Sequence, residues 1–356
     1  MSSANRITKV IGILDELNLD AFYVNYIPNI RYLSGFSGSS ALVIISKKKQ
    51  YFLSDFRYKD QSAAQVKGYE IIINYVASDE LAKIFTAEKY KRVGFESSRV
   101  TVSSLENLKK LFPVIEFVPV FERIEKLTMP KSPDEIECIK KAVEISDRTF
   151  DKLLKFIKPG MTELEVSAEI TYTHKKLGAS KDSFDPIVAS GWRGALPHGI
   201  ASEKIIEKGE MVTLDFGCIY NGFASDITRT ISMGEPLPEM KKIYGIVLEA
   251  QLKAIAAAKE GASSKAVDGV ARDLIAAAGY GDKFGHGLGH GLGIDVHEGP
   301  SLNQRTDLPL PLGSVVTIEP GIYVEGLGGV RIEDDIVITA AGCEVLNKAP
   351  KELIIL

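Results

Sequence analysis

Four carboxylates stand in two short stretches of this chain at spacings that would let them act together. Asp215 and Asp226 flank Asn221-Gly222, and Glu319 and Glu333 flank the glycine-rich run 325–329. Asn-Gly is a strong hairpin signal, because both central residues of the favoured two-residue turn need positive φ. With those two as the turn, Asp215 pairs with Thr228 and Gly217 with Asp226. The two Asp side chains then leave one face of the hairpin as diagonal neighbours, roughly 7–8 Å apart or somewhat less. Val212, Leu214 and Phe216 alternate with Thr213, Asp215 and Gly217, which reads as a half-buried strand. In the second stretch, a loop centred near Gly326 sets Glu319 opposite Glu333, between the strands 314–319 and 330–338. Val315, Thr317 and Glu319 share one face there, as do Arg331, Glu333 and Asp335. The plain alternative is an Arg331–Glu ion pair on an exposed strand.

Carboxylates forced together on apolar strands repel unless one is protonated or a cation lies between them. Four ionised carboxylates sum to −4, so one divalent cation leaves a costly excess and two bring the sum to zero. A nearby imidazole is available from the segment 285–293, Gly-His-Gly-Leu-Gly-His-Gly-Leu-Gly, followed by His297. If extended, one face of that segment is bare and the other carries His286, Leu288, His290 and Leu292, so a second backbone or a ligand can approach closely. The spacing lacks the signature of a phosphate-binding glycine loop. Oxygen ligands with one imidazole suit Mn, Co, Fe or Zn, and a metal pair of that kind generates hydroxide near neutral pH and polarises a carbonyl.

The elements that must position these residues fall into two parts. All five histidines (His174, His198, His286, His290, His297) lie in the second of these parts. The first part carries β-rich runs at 20–24, 41–45, 51–53, 69–73, 92–95 and 114–118, separated by helical patterns, as in an α/β sheet domain. A boundary is expected within 121–131, giving domains 1–125 and 126–356. Ser132-Pro133-Asp134-Glu135 then starts a helix. The second part repeats itself at a spacing near 100 residues. Residues 158–166 align with 259–267, 184–199 with 284–299, and 209–217 with 313–321. Two related halves facing each other would bring their acids onto a shared axis. His174, on an apparent helix, is expected to be a solvated surface residue.

Composition narrows the function classes. Net charge is −4 with no basic stripe, so nucleic acid is not an expected partner. No apolar run reaches the roughly 20 residues that span a bilayer, and the first ten residues do not read as a secretion signal. Cys138, Cys218 and Cys343 are odd in number and scattered, which suits free thiols in a reducing compartment, the cytoplasm by default.

These residues resemble the creatinase, aminopeptidase P, prolidase and methionine aminopeptidase family. Asn29-Ile-Arg-Tyr-Leu-Ser-Gly-Phe-Ser-Gly38 is similar to the N-terminal domain signature of its creatinase, aminopeptidase P and prolidase branch. Asp215 with Asp226-Ile-Thr-Arg-Thr, Gly-His290-Gly-Leu-Gly with Val-His297-Glu, Glu319-Pro-Gly, and Arg331-Ile-Glu333-Asp resemble its catalytic motifs. The resemblance implies a creatinase-like N-terminal α/β domain followed by a pseudo-two-fold "pita-bread" catalytic domain, α/β (α+β) in class. It also implies two divalent metal ions per chain, Mn or Co first, with Zn or Fe as alternatives. Asp215 would chelate one and His290 and Glu319 the other, while Asp226 and Glu333 bridge both. His198, His297 and Glu319 would be catalytic: His198 at the oxyanion, His297 positioning substrate or relaying a proton, Glu319 accepting one. Thr228, Tyr323 and Arg331 would orient ligands, and His286 would line the substrate pocket. The implied substrate is a short proline-containing peptide cut at its Xaa-Pro bond, and the implied assembly is a homodimer. Aminopeptidase P action on longer peptides, an aminopeptidase without a proline requirement, and a metal-stabilised peptide-binding module are the alternatives. Archaeal-type prolidases carry an Arg just after the His-Glu-x-Pro motif; here that position is Ser301, and Arg305 lies close by.

Overall fold

The computed structural model describes residues 3–74 and 76–356, which form two compact units, 1–128 and 129–356. In the first unit, each of the six β-rich runs is a strand of one mixed sheet. Its order is Glu70–Ile73, Gln50–Ser54, Leu42–Ser46, Ala21–Val24, Arg92–Glu96, Glu116–Val120. The first three strands in chain order pair antiparallel; Arg92–Glu96 joins Ala21–Val24 and Glu116–Val120 in parallel. Parallel neighbours require crossovers, supplied here by helices such as Ala77–Glu88 and Val102–Leu111. Ile44, Phe85, Val93 and Phe95 are among the apolar residues packed between sheet and helices.

In the second unit, the expected helix start is present. Ser132 and Glu135 form a capping box ahead of the helix Pro133–Phe156, with Pro133 in the first turn. The strand Met211–Phe216 lies between Ile187–Ser190 and Ile227–Ser232. It is buried along its whole length, so both faces are covered, where alternation suggested only one. The second hairpin is not continuous: Gly321–Val324 pairs with Gly328–Arg331 in one sheet, and Val315–Ile318 pairs with Asp334–Ile338 in another. The strand expected across 330–338 therefore breaks at Ile332-Glu333, where the chain passes from one sheet to the next.

Corresponding hydrogen bonds recur in the two halves. Gly160 N–H donates to Ile206 and Gly261 N–H to Leu310; Gly209 N–H donates to Met233 and Gly313 N–H to Ile338. Thr162 caps the helix Glu163–Lys176, and Ser263 caps the helix Ser264–Ala277 in the same way. The helices Pro238–Ala257 and Ser264–Ala277 cover the sheets with Ile243, Val247, Val267 and Ile275, against Val316 and Ile336. Full burial of each such side chain contributes about 1.5–3 kcal/mol.

His174 corrects the expectation of a solvated residue. It is fully buried, with its Nδ1 2.7 Å from Asp182 and its ring against Phe216. Helical periodicity alone did not distinguish the two faces, because the polar partner lies beyond the helix. All three cysteines are free, and no helix among the described residues is long and apolar enough to cross a membrane.

Candidate metal centre and substrate cavity

The two hairpins deliver the four acids. Asp215 pairs with Thr228, and the same register continues through Ile219↔Ala224 and Tyr220↔Phe223 to the turn at Asn221-Gly222. Asn221 and Gly222 both have positive φ, as that turn requires. The pairs Gly321↔Arg331 and Ile318↔Asp334 bracket Glu319 and Glu333, which thus both fall at the junction of the two sheets.

A cavity of about 780 Å³ is lined by Asp215, Asp226, Glu319, Glu333, His290, His297, His198, His286 and Arg331. Ligand atoms of Asp226, His290 and Glu333 all lie within 4.8 Å of one another. His290 Nε2 is 3.4 Å from Glu319 Oε1 and 3.8 Å from Asp226 Oδ2. The rings of His290 and His297 meet edge to face, with centroids 4.4 Å apart.

Only Gly289–Gly291 of the glycine-rich segment is a strand, so its four side chains do not share one face. His286 and His290 reach the cavity, whereas Leu288 and Leu292 are buried in separate apolar clusters. The glycines still act as expected of a bare edge. A Cβ at Gly289 would collide with the Thr317 carbonyl, and one at Gly291 with the Gly299 carbonyl. Thr317 links two of the candidate ligands, since its hydroxyl oxygen accepts from His290 N–H and its hydroxyl donates to Glu319.

Thr228 and Tyr323 stand behind the wall. The Thr228 hydroxyl donates to Glu333 Oε2 at 2.6 Å and accepts from Arg331 Nε at 3.1 Å. Arg331 pairs with Asp215, not with a glutamate, and also donates to the Tyr323 hydroxyl at 2.8 Å, which in turn meets His286 Nε2 at 2.8 Å. Asp335 does not share the cavity face with Arg331 and Glu333, because the break in the strand turns it away. It accepts the backbone N–H of Asp226 and so holds that residue from behind. Sequence reading also missed Arg272, which lines the cavity and pairs with Asp268 one helical turn earlier. An i,i+4 Asp–Arg pair was the available signal.

The electrostatics fit a cationic guest. Burial, reinforced by Glu333 and Asp215, raises the Asp226 carboxyl well above its usual range. Burial also raises Glu333, with Glu319 and Asp215 adding to the effect. The Glu319 carboxyl is pushed up to about 7, chiefly by burial and further by Asp215, against the opposing pull of Arg331. Asp215 Oδ1 and Asp226 Oδ1 are buried with no hydrogen-bond partner. Buried carboxylate oxygens without partners are costly, and a divalent cation removes both that cost and the mutual repulsion. Burial lowers His290 and His297, which favours the neutral imidazole, whose one free nitrogen can take a cation.

Residues 137–340 match metallopeptidase family M24, and residues 6–129 match the creatinase/prolidase N-terminal domain. The chain belongs to metallopeptidase family M24. It is therefore a peptidase of a divalent-metal-dependent family, with the N-terminal domain and pita-bread catalytic domain in the order anticipated from the motifs. This peptidase is similar over 100% of both chains to the structure of an Xaa-Pro dipeptidase from Bacillus anthracis, at 46% identity and a TM-score of 0.97. An X-Pro aminopeptidase structure from Thermotoga maritima is 41% identical with a TM-score of 0.90, covering 99% of this chain and 100% of that one. An Xaa-Pro dipeptidase from Pyrococcus horikoshii is 41% identical over 354 residues, 98% of each chain.

Proposed function

We propose that this peptidase hydrolyses the Xaa-Pro bond of dipeptides and short peptides. Two divalent cations, Mn or Co, would be held by Asp215, Asp226, His290, Glu319 and Glu333. The observation that carries the reading is the meeting of these five side chains in one cavity with His198 and His297, which a metal needed only for stability would not require. When bound, the cations supply an activated water and polarise the scissile carbonyl.

The chain's own residues do the rest. Glu319 accepts the proton that the attacking water loses as its oxygen joins the carbonyl carbon. His198, exposed in the cavity, donates to the developing oxyanion. His297 holds the substrate and relays to the proline nitrogen, as the C–N bond breaks, the proton that Glu319 took from the water. Arg331, Thr228 and Tyr323 orient Asp215, Glu333 and His286 through the hydrogen bonds described above. Phe184, Ile187, Pro197 and Ile200 form an apolar wall suited to a pyrrolidine ring. Proline nitrogen has no N–H to offer, so a site for this bond cannot rely on reading that donor.

Cleavage of longer peptides is the second reading, favoured by the likeness to the Thermotoga maritima aminopeptidase. Free cysteines support a cytoplasmic enzyme; the homodimer rests on the family resemblance and is tested by light scattering. Protein loaded with Mn or Co and offered Ala-Pro, Ala-Pro-Ala and Ala-Ala-Ala should cleave Ala-Pro best. Equal turnover of Ala-Ala-Ala would remove the proline requirement. Metal uptake without turnover of any of the three would leave a binding module.

A further inference from the structure

Burying an ion pair strips two charges of water, and neutral side chains of similar volume often hold a core at least as well. Lys131 and Glu298 form such a pair, with side chains only 3% and 10% exposed. Neither lines the cavity, yet Glu298 directly follows His297, which does. Adjacent residues of an extended chain send their side chains to opposite sides. A grip on Glu298 from behind the wall is therefore a grip on His297.

Both partners are anchored in turn. Lys131 N–H donates to the Gly313 carbonyl at 3.0 Å, and Pro130 bridges to Ser314, the residue before the strand Val315–Ile318. Lys131 Nζ donates to the Met129 carbonyl at 3.0 Å as well as to Glu298. Glu298 opens the strand Glu298–Leu302 and pairs with Gly291, the residue after His290. Its carboxylate also lies against Gly293, where an added Cβ would come within 2.6 Å of Oε2. The loop 293–297 thus starts and finishes at one carboxylate, and His297 is its last residue. The ring of His297, whose centroid is 4.4 Å from that of His290, moves with that loop.

We infer that Lys131, acting through Glu298, is a positioning residue for His297: the buried pair closes the loop 293–297 and fixes where the imidazole enters the cavity. The inference rests on the role of His297 in the Xaa-Pro reading above.

The test uses Mn-loaded full-length protein with Ala-Pro and reads kcat, bound Mn per chain and melting temperature together. Lys131→Met strands the Glu298 carboxylate, so kcat and melting temperature should both fall. Adding Glu298→Gln removes the stranded charge. Melting temperature should then return toward wild type, while kcat stays down about tenfold or more because no ion pair closes the loop. Lys131→Arg keeps the charge and should recover part of the kcat lost in Lys131→Met. Bound Mn should stay at the wild-type value throughout, since neither residue is a proposed ligand. A double variant with wild-type kcat, or a Lys131→Arg variant no more active than Lys131→Met, would overturn the inference and leave the Xaa-Pro reading intact. So would loss of Mn in proportion to activity, which would place the effect in the acid cluster. Wild type that is folded and loaded yet cleaves no Ala-Pro would overturn both.

Discussion

Asp226 and His297 border the same cavity but stand in different relations to its charge. Asp226 is buried, one oxygen unpartnered, with its backbone N–H tied to Asp335. Asp226→Asn removes a charge from the cluster without changing its shape. Most of the bound divalent metal should be lost, and turnover of Ala-Pro should fall by more than about a hundredfold. His297→Ala should keep the metal while kcat falls by about 10²–10⁴. Metal analysis beside the peptide assay checks the pair, and loss of metal from the His297 variant would place that residue among the ligands. Much at this scale was legible, because Asn221-Gly222 fixes a register and the register fixes which side chains share a face. His174 was not legible. Its partner Asp182 lies on a separate short strand, and only three-dimensional packing brings the two together.

At Gly289 the short strand Gly289–Gly291 has no room toward the strand Val315–Ile318. Gly289→Ala would press a methyl group against the Thr317 carbonyl and move the hydroxyl that joins His290 to Glu319. The expected cost is about 1–3 kcal/mol in denaturant unfolding. A loss of kcat with the loaded enzyme should accompany it, larger than that of Gly285→Ala, where an added Cβ meets nothing. Equal effects at the two positions would mean that the close approach of backbones does not position the site. The glycine spacing announced this approach from sequence. The break at Ile332-Glu333 was missed although Glu333-Asp334-Asp335 are poor strand formers, because nothing in that run says that it serves two sheets in turn. That transfer explains why Glu333 enters the cavity and Asp335 braces it from behind.

For the molecule as a whole, the acid cluster makes stability depend jointly on pH and metal. The Glu319 carboxyl rises from 4.5 to about 7 in the fold, so between those values the metal-free fold holds more protons than the unfolded chain. Its contribution is complete below 4.5, declines as pH rises and is gone above about 7. His286 has the opposite sign. Lowered to about 4 by burial and by Arg331, it favours the fold above 6.5 and disfavours it as pH falls toward 4. Divalent cations compete with the carboxyl protons, whereas His286 is not a proposed ligand. The gap in melting temperature between Mn-loaded and chelator-treated protein should therefore widen from pH 5 to pH 8. A constant or shrinking gap would mean that protons and metal do not share the cluster. The internal duplication was legible from three aligned segments, and the matching hydrogen bonds of the two halves follow it.

That duplication also dictates when the enzyme can come into being. Each half contributes one hairpin, and the later one supplies Glu319 and Glu333. Arg229, on the strand just past Asp226, is clasped by Asp334 and by the carbonyls of Ala349 and Pro350. A nascent chain that has extruded only the earlier hairpin thus owns two of the four acids, and its Arg229 keeps the Thr228 carbonyl but lacks Asp334, Ala349 and Pro350. The candidate metal site therefore cannot close until both hairpins have been made, and a chain stopped between them should hold no pair of cations.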